Sequence, residues 1–144
     1  MGCEEKFNRL VDGFSFAMNV PKILIVDDEP DQRQLLAGFL EKRGFSVGAV
    51  GSVAEGEKIF RESGFDAAVI DLRLPDGDGI ELLRRLRSID PDIGAVILTA
   101  YATVSSAADG IKAGAEDFLE KPVDLAQLEA IIRRLVERRQ VMRE

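Results

Sequence analysis

Apolar runs and helical stripes alternate along this chain. Lys22-Ile23-Leu24-Ile25-Val26 is nearly unbroken apolar sequence, the pattern of a strand buried on both faces, and it runs into Asp27-Asp28-Glu29-Pro30. Acidic residues and an early proline open a helix there. Leu35, Leu36, Phe39 and Leu40 are its expected buried face, and Gly44 stops it. A second strand is predicted over 45–50, weakened by Gly48. Ser52 and Glu55 form a capping box for a second helix with Ile59 and Phe60 turned inward, ended by Gly64. The third strand covers 66–70 and ends at Asp71, followed by the turn residues Pro75, Asp76 and Gly77. Leu82, Leu83, Leu86 and Ile89 mark a third helix over 79–89, broken at Asp90-Pro91. Residues 94–98 form a fourth strand ending in Thr99.

A weaker fourth helix follows, carrying Val104, Ala107, Ala108 and Ile111, with Gly114 at its end. A short fifth strand over 116–119 leads to Glu120-Lys121-Pro122. Asp124 then caps a last helix bearing Leu125, Leu128, Ile131, Ile132, Leu135 and Val136. Five strand–helix units in unbroken alternation predict an α/β fold, a doubly wound and mostly parallel sheet with right-handed crossovers and helices on both faces. Phe7, Leu10, Val11 and Phe14 keep helical spacing before this unit begins. Residues 1–19 are therefore expected to be an extension, with a short helix packed on the domain or on a partner. Residues 20–140 form the domain, and 141–144 the start of a linker or tail.

Composition narrows the chemistry. A chain of 144 residues suits one domain with a sizeable core. No apolar run approaches the ~18 residues of a membrane span, and no signal peptide is recognisable, so a soluble cytoplasmic protein is expected. The single cysteine, Cys3, excludes an internal disulfide. The sequence has no histidine, which excludes Ser-His-Asp catalysis and His-ligated zinc within the chain. A metal would be held by oxygen, favouring magnesium, manganese or calcium. The net charge of −7 argues against nucleic-acid binding.

Candidate chemistry gathers at the ends of strands. Asp27 and Asp28 follow the first, Asp71 the third, Thr99 the fourth and Lys121 the fifth, and a parallel sheet delivers all these ends to one edge, where ligands of such sheets bind. Three carboxylates brought together repel, and a hard cation such as Mg²⁺ relieves them. Carboxylates, a cation, a hydroxyl and an ammonium suit phosphoryl transfer, with Asp71 as the accepting nucleophile. Singly, each residue has an ordinary role as helix-end acid, strand-end hydroxyl, turn lysine or turn cap. Their coincidence at matching ends of four strands favours a site.

The stretches Ile25-Val26-Asp27-Asp28-Glu29-Pro30, Val69 to Gly79, Ile97-Leu98-Thr99-Ala100-Tyr101 and Phe118-Leu119-Glu120-Lys121-Pro122 resemble the receiver domains of bacterial two-component response regulators, over about residues 20 to 140. The resemblance implies a flavodoxin-like sheet of order 2-1-3-4-5. It implies that Asp71 takes phosphate from a phosphohistidine of a partner histidine kinase or histidine phosphotransfer protein. Mg²⁺, or Mn²⁺ in its place, would be bound by Asp27, Asp28, Asp71 and the backbone carbonyl of Arg73. Thr99 would be the switch hydroxyl, Lys121 the phosphate-pairing lysine and Phe118 the aromatic switch. Pro122 matches a lysine–proline step that often carries a cis bond.

The segment from Thr99 to Pro122 looks most like receivers of nitrogen-regulator-type transcription activators. Arg73 and Tyr101 fit the family loosely and are expected to tune phosphoryl lifetime. The face made by the fourth helix, fifth strand and fifth helix would change on phosphorylation and offers a homodimer surface. The output domain is expected outside these residues. Two rivals stand: an aspartate-nucleophile, Mg-dependent phosphatase, which usually wants an acid where Arg73 stands, and a phosphorylation-independent interaction module.

Overall fold

The computed structural model describes residues 20–100, 108–109, 111–112 and 114–143. Its centre is a five-stranded parallel sheet. The strands are β1 (Lys22–Val26), β2 (Ser46–Val50), β3 (Ala67–Asp71), β4 (Gly94–Thr99) and β5 (Asp117–Glu120), in the order β2-β1-β3-β4-β5. The helices are α1 (Pro30–Lys42), α2 (Val53–Ser63), α3 (Gly79–Ile89), α4 (described at 108–109 and 111–112) and α5 (Leu125–Arg143). The expected order 2-1-3-4-5 is the observed one.

The apolar runs form strands because both faces are covered. Ile23, Leu24, Ile25 and Val26 are buried, as is every residue of β3 and β4. Alternation along each strand feeds two cores. Leu24, Val26, Ala68, Ile70, Ala95 and Ile97 pack with Phe60, Leu82, Leu83 and Leu86 of α2 and α3. Ile23, Ile25, Val69, Val96 and Leu98 pack with Leu36 and Leu40 of α1 and with Leu128, Ile132 and Leu135 of α5. Each fully buried leucine or isoleucine contributes about 1.5–3 kcal/mol, so these layers hold the strand ends that carry the site.

Several local expectations shift. Leu36 and Leu40 are fully buried, but Leu35 is 55% exposed. One residue of helix is about 100° of rotation, which carries Leu35 off the stripe that meets β1 and α5. Ser52 caps α2 by accepting from Glu55 N, while Glu55 Oε1 reaches back to Gly51 N rather than to the Ser52 amide. Gly48 does not merely weaken β2, because a Cβ there would lie 2.8 Å from the Phe65 ring. Ala108 and Ile111, expected on an apolar stripe, are exposed. The stripe at residues 7–14, together with Val104 and Ala107, lies outside the described residues. Among the described residues no helix is long and apolar enough to cross a membrane.

Candidate functional site

The parallel register places the ends of β1, β3, β4 and β5 along one edge, and local bonds set each end. Asp27 follows β1. Its amide continues the ladder to Val50 O at 3.0 Å, and its Oδ1 accepts Glu29 N at 2.9 Å. Arg33, one turn into α1, donates to the Asp27 carbonyl at 2.7 Å. Asp71 closes β3, and the next amide, that of Leu72, bonds Leu98 O at 2.7 Å. The chain then folds back, pairing Arg73 with Asp78 and Leu74 with Gly77. Asp78 caps α3 through Glu81 N. Gly79 has no room for a side chain, since a Cβ would press into the Asp71 carbonyl. Thr99 ends β4 and is buried. Its carbonyl accepts Lys121 N at 2.7 Å, and the Lys121–Pro122 bond is cis.

Lys121 Nζ lies 3.0 Å from Asp71 Oδ2, 3.3 Å from Asp27 Oδ2 and 3.5 Å from Glu29 Oε1. The carboxylates of Asp27, Asp28 and Asp71 offer oxygens all within 4.8 Å of one another. Asp27 and Asp71 are buried, whereas Asp28 is exposed. A cavity of about 230 Å³ opens among Asp28, Glu29, Asp71, Arg73, Thr99, Ala100 and Lys121. Burial pushes the Asp71 carboxyl up, and the Asp27 charge adds to this. The hydrogen bond and charge of Lys121 pull it back without cancelling the rise. Burial alone would lower the Lys121 ammonium, but its bond to Asp71 and the charges of Asp71 and Asp27 outweigh that and raise it.

A single ammonium therefore leaves the acidic cluster under-neutralised. An oxygen-only donor set with one open side fits a hard divalent cation, and soft or imidazole-seeking metals find no ligand in it. A larger hollow of about 540 Å³ lies at the far ends of the strands, beside Lys22, Asp66, Asp90 and Arg139. Its charges pair with each other, Arg139 with Asp90 at 2.5 Å and with Asp66 at 3.5 Å.

A model of the response regulator receiver domain matches residues 23–133. The chain belongs to the response regulator receiver domain family. It is 38% identical over 115 residues to the response regulator protein PilR of Pseudomonas aeruginosa, covering 80% of this chain and 26% of PilR. It is 42% identical over 102 residues to the photosynthetic apparatus regulatory protein RegA of Cereibacter sphaeroides, covering 71% of this chain and 55% of RegA. The chain thus spans between a quarter and about half of these relatives. The crystal structure of a CheY-like receiver domain protein from Methanospirillum hungatei superposes with a TM-score of 0.83 at 27% identity, over 86% of this chain and 99% of that one. Relatives such as PilR and the regulatory protein AtoC of Escherichia coli are in keeping with the resemblance to nitrogen-regulator-type receivers. Receiver domains of response regulators are phosphoacceptor switches acted on by histidine kinases.

Within this receiver the expected residues separate into two places. Asp28, Asp71, Arg73, Thr99 and Lys121 border the cavity, and Asp27 Oδ2 accepts from Lys121 Nζ at 3.3 Å. Phe118 does not border it. It sits half-buried beside Ile97, against the core under α2 and α3. Tyr101 lies outside the described residues. Glu29, Arg33 and Asp76 were missed by sequence reasoning. Glu29 adjoins the acidic pair and could have been found by adjacency. Arg33 and Asp76 act through contacts that no local pattern reveals.

Proposed function

We propose that Asp71 accepts a phosphoryl group from the phosphohistidine of a partner histidine kinase or histidine phosphotransfer protein. An Asp71 oxygen forms the O–P bond as the P–N bond breaks, and the electron pair returns to that ring nitrogen, so the histidine leaves as the neutral imidazole whose other ring nitrogen already carries its proton. The observation that carries this is a buried carboxyl at a cavity mouth, 3.0 Å from a fixed ammonium and without enough positive charge around it.

Asp27, Asp28, Asp71 and the Arg73 carbonyl would hold Mg²⁺, with Mn²⁺ an acceptable substitute for the same oxygen donors. Such an ion supplies charge neutralisation to the phosphoryl oxygens during transfer. Lys121 pairs with a phosphoryl oxygen, exchanging one anion for another at the same position. Thr99 donates its hydroxyl to the phosphoryl group from the cavity wall. Its displacement frees space for Phe118, and the face of α4, β5 and α5 changes with it. That face offers a homodimer surface. Arg73 and Tyr101 would shield the acyl phosphate and set its lifetime. By analogy with whole regulators such as the transcriptional regulatory protein PrrA of Mycobacterium tuberculosis, the switch controls an output such as transcription. The domain, in a chain of net charge −7, makes no nucleic-acid contact and works in the cytoplasm.

The test is uptake of acid-labile phosphate from a small phosphodonor and from a kinase, each with Mg²⁺, in the native chain and in Asp71→Asn. The native chain should gain one acid-labile phosphate and the variant none. Full uptake by the variant would refute the assignment.

A further inference from the structure

We infer that Asp76 is a positioning residue for the metal-binding loop, anchoring the tip of the hairpin that carries Arg73 to the first turn of α2. Its two carboxylate oxygens are both used: Oδ1 accepts Val53 N at 2.8 Å and Oδ2 accepts Ala54 N at 3.0 Å. These are the first two amides of α2. The third, Glu55 N, goes to Ser52 Oγ at 3.1 Å. The helix start is thus satisfied by two agents, one local and one from the loop 22–23 residues further along the chain.

The loop has three ties. At its base, Leu72 N bonds Leu98 O and Gly79 N bonds Leu72 O at 2.8 Å. Along its stem, Arg73 and Leu74 pair with Asp78 and Gly77. At its tip, Asp76 is the link to α2, where a Cβ on Gly77 would also sit 3.3 Å from Val53 Cγ2. Two rungs of antiparallel pairing are weak by themselves. Without the tip anchor, the strand bearing the Arg73 carbonyl is free to tilt away from Asp71. The backbone bonds of Ala54 and Val53 hold the Asp76 carboxyl below its ordinary range, so it stays charged and the anchor stays made at neutral pH.

This inference rests on the reading that the acidic cluster and the Arg73 carbonyl bind Mg²⁺. The experiment is calorimetric titration of the full chain with Mg²⁺, paired with melting in metal-free buffer, for the native protein, Asp76→Ala, Asp76→Asn and Ser52→Ala. Ser52→Ala removes the other cap of the same helix while leaving the loop alone. Both alanine variants should melt lower. Only Asp76→Ala should lose Mg²⁺ affinity, by about three- to tenfold, at or below the low end of what outer-shell partners contribute. Asp76→Asn, which keeps one acceptor oxygen, should recover part of that loss, and it carries the test if the alanine variant fails to fold. Equal Mg²⁺ affinity in Asp76→Ala, Asp76→Asn and the native chain would reduce Asp76 to a helix cap and overturn the inference. Absence of Mg²⁺ binding by the native chain would overturn the cation reading itself, and the inference with it.

Discussion

Lys121 Nζ meets Asp71 Oδ2 at 3.0 Å, joining the ends of β5 and β3 across 50 residues of chain. The lysine side chain is 14% exposed and the aspartate 8%. Removing the lysine leaves the buried carboxylates of Asp27 and Asp71 without their cation, whereas Lys121 without Asp71 would still have Asp27 and Glu29. An uncompensated charge costs about 3–5 kcal/mol in a closed interior and less beside an open cavity. Lys121→Met should therefore lose about 2 kcal/mol of stability in metal-free buffer. Mg²⁺ should return much of it by neutralising the same carboxylates. Urea unfolding with and without Mg²⁺ checks this, and a loss unaffected by Mg²⁺ would separate the lysine from the acidic cluster.

Asp71→Asn should raise the melting temperature of the metal-free protein at neutral pH. The Asp71 carboxyl is raised by burial, so the folded state holds its proton more tightly than the unfolded chain. Its contribution is favourable below the unfolded value of about 3.9 and is lost as pH rises through the folded value. At pH 7 the ionised group works against folding, and the amide removes that opposition. The advantage should shrink as pH falls toward 4. Mg²⁺ should stabilise the native chain and not the variant. A variant that melts below the native chain at pH 7 without metal would contradict the sign.

Much of this architecture was legible in the sequence because a parallel sheet needs strands that are apolar throughout. Lys22–Val26 and Ala67–Asp71 differ from the expected strands by no more than a residue at each end. The placement of the candidate site residues was legible for a related reason: strand ends are visible where an apolar run meets a charge, and topology alone brings Asp27, Asp71, Thr99 and Lys121 together. What stayed hidden depends on contacts between distant segments. The Asp76 carboxylate reads as turn chemistry until Val53 and Ala54 are seen beside it. Arg33 reads as a solvated helix residue until its bond to the Asp27 carbonyl is seen. Leu35 looked like core because hydrophobicity does not report which side of a helix meets the sheet.

Two glycine-to-alanine changes should have opposite signs. Gly38 lies inside α1 with nothing within 4 Å of an added Cβ. Gly38→Ala should stabilise by roughly 0.5–1 kcal/mol, the helix-propensity difference. At Gly79 a Cβ would press on the Asp71 carbonyl and lie 2.8 Å from Ile70 Cγ2. Gly79→Ala should destabilise by about 1–3 kcal/mol and slow phosphate uptake by displacing the end of β3. Melting curves and uptake from a small phosphodonor test both, and a neutral Gly79→Ala would mean that the backbone yields there without consequence.

Glu116 ties α5 to α3, and acid should cut this tie. Its carboxylate lies 2.7 Å from Arg138 and 3.3 Å from Arg87, and the same Arg87 nitrogen donates to Gly114 O at 2.6 Å. The Arg138 bond holds the Glu116 carboxyl below its ordinary range, against a smaller opposing effect of burial. A lowered folded value means stability that is present above the unfolded value of about 4.3 and lost as pH falls through the folded one. Glu116→Gln should thus cost up to about 1 kcal/mol at pH 7, the scale of a partly exposed ion pair, and the deficit should close as pH falls below 4. The two proteins are compared by urea unfolding at stepped pH. A deficit that persists unchanged into acid would show that packing of the side chain, rather than its charge, holds α3 and α5 to the start of β5.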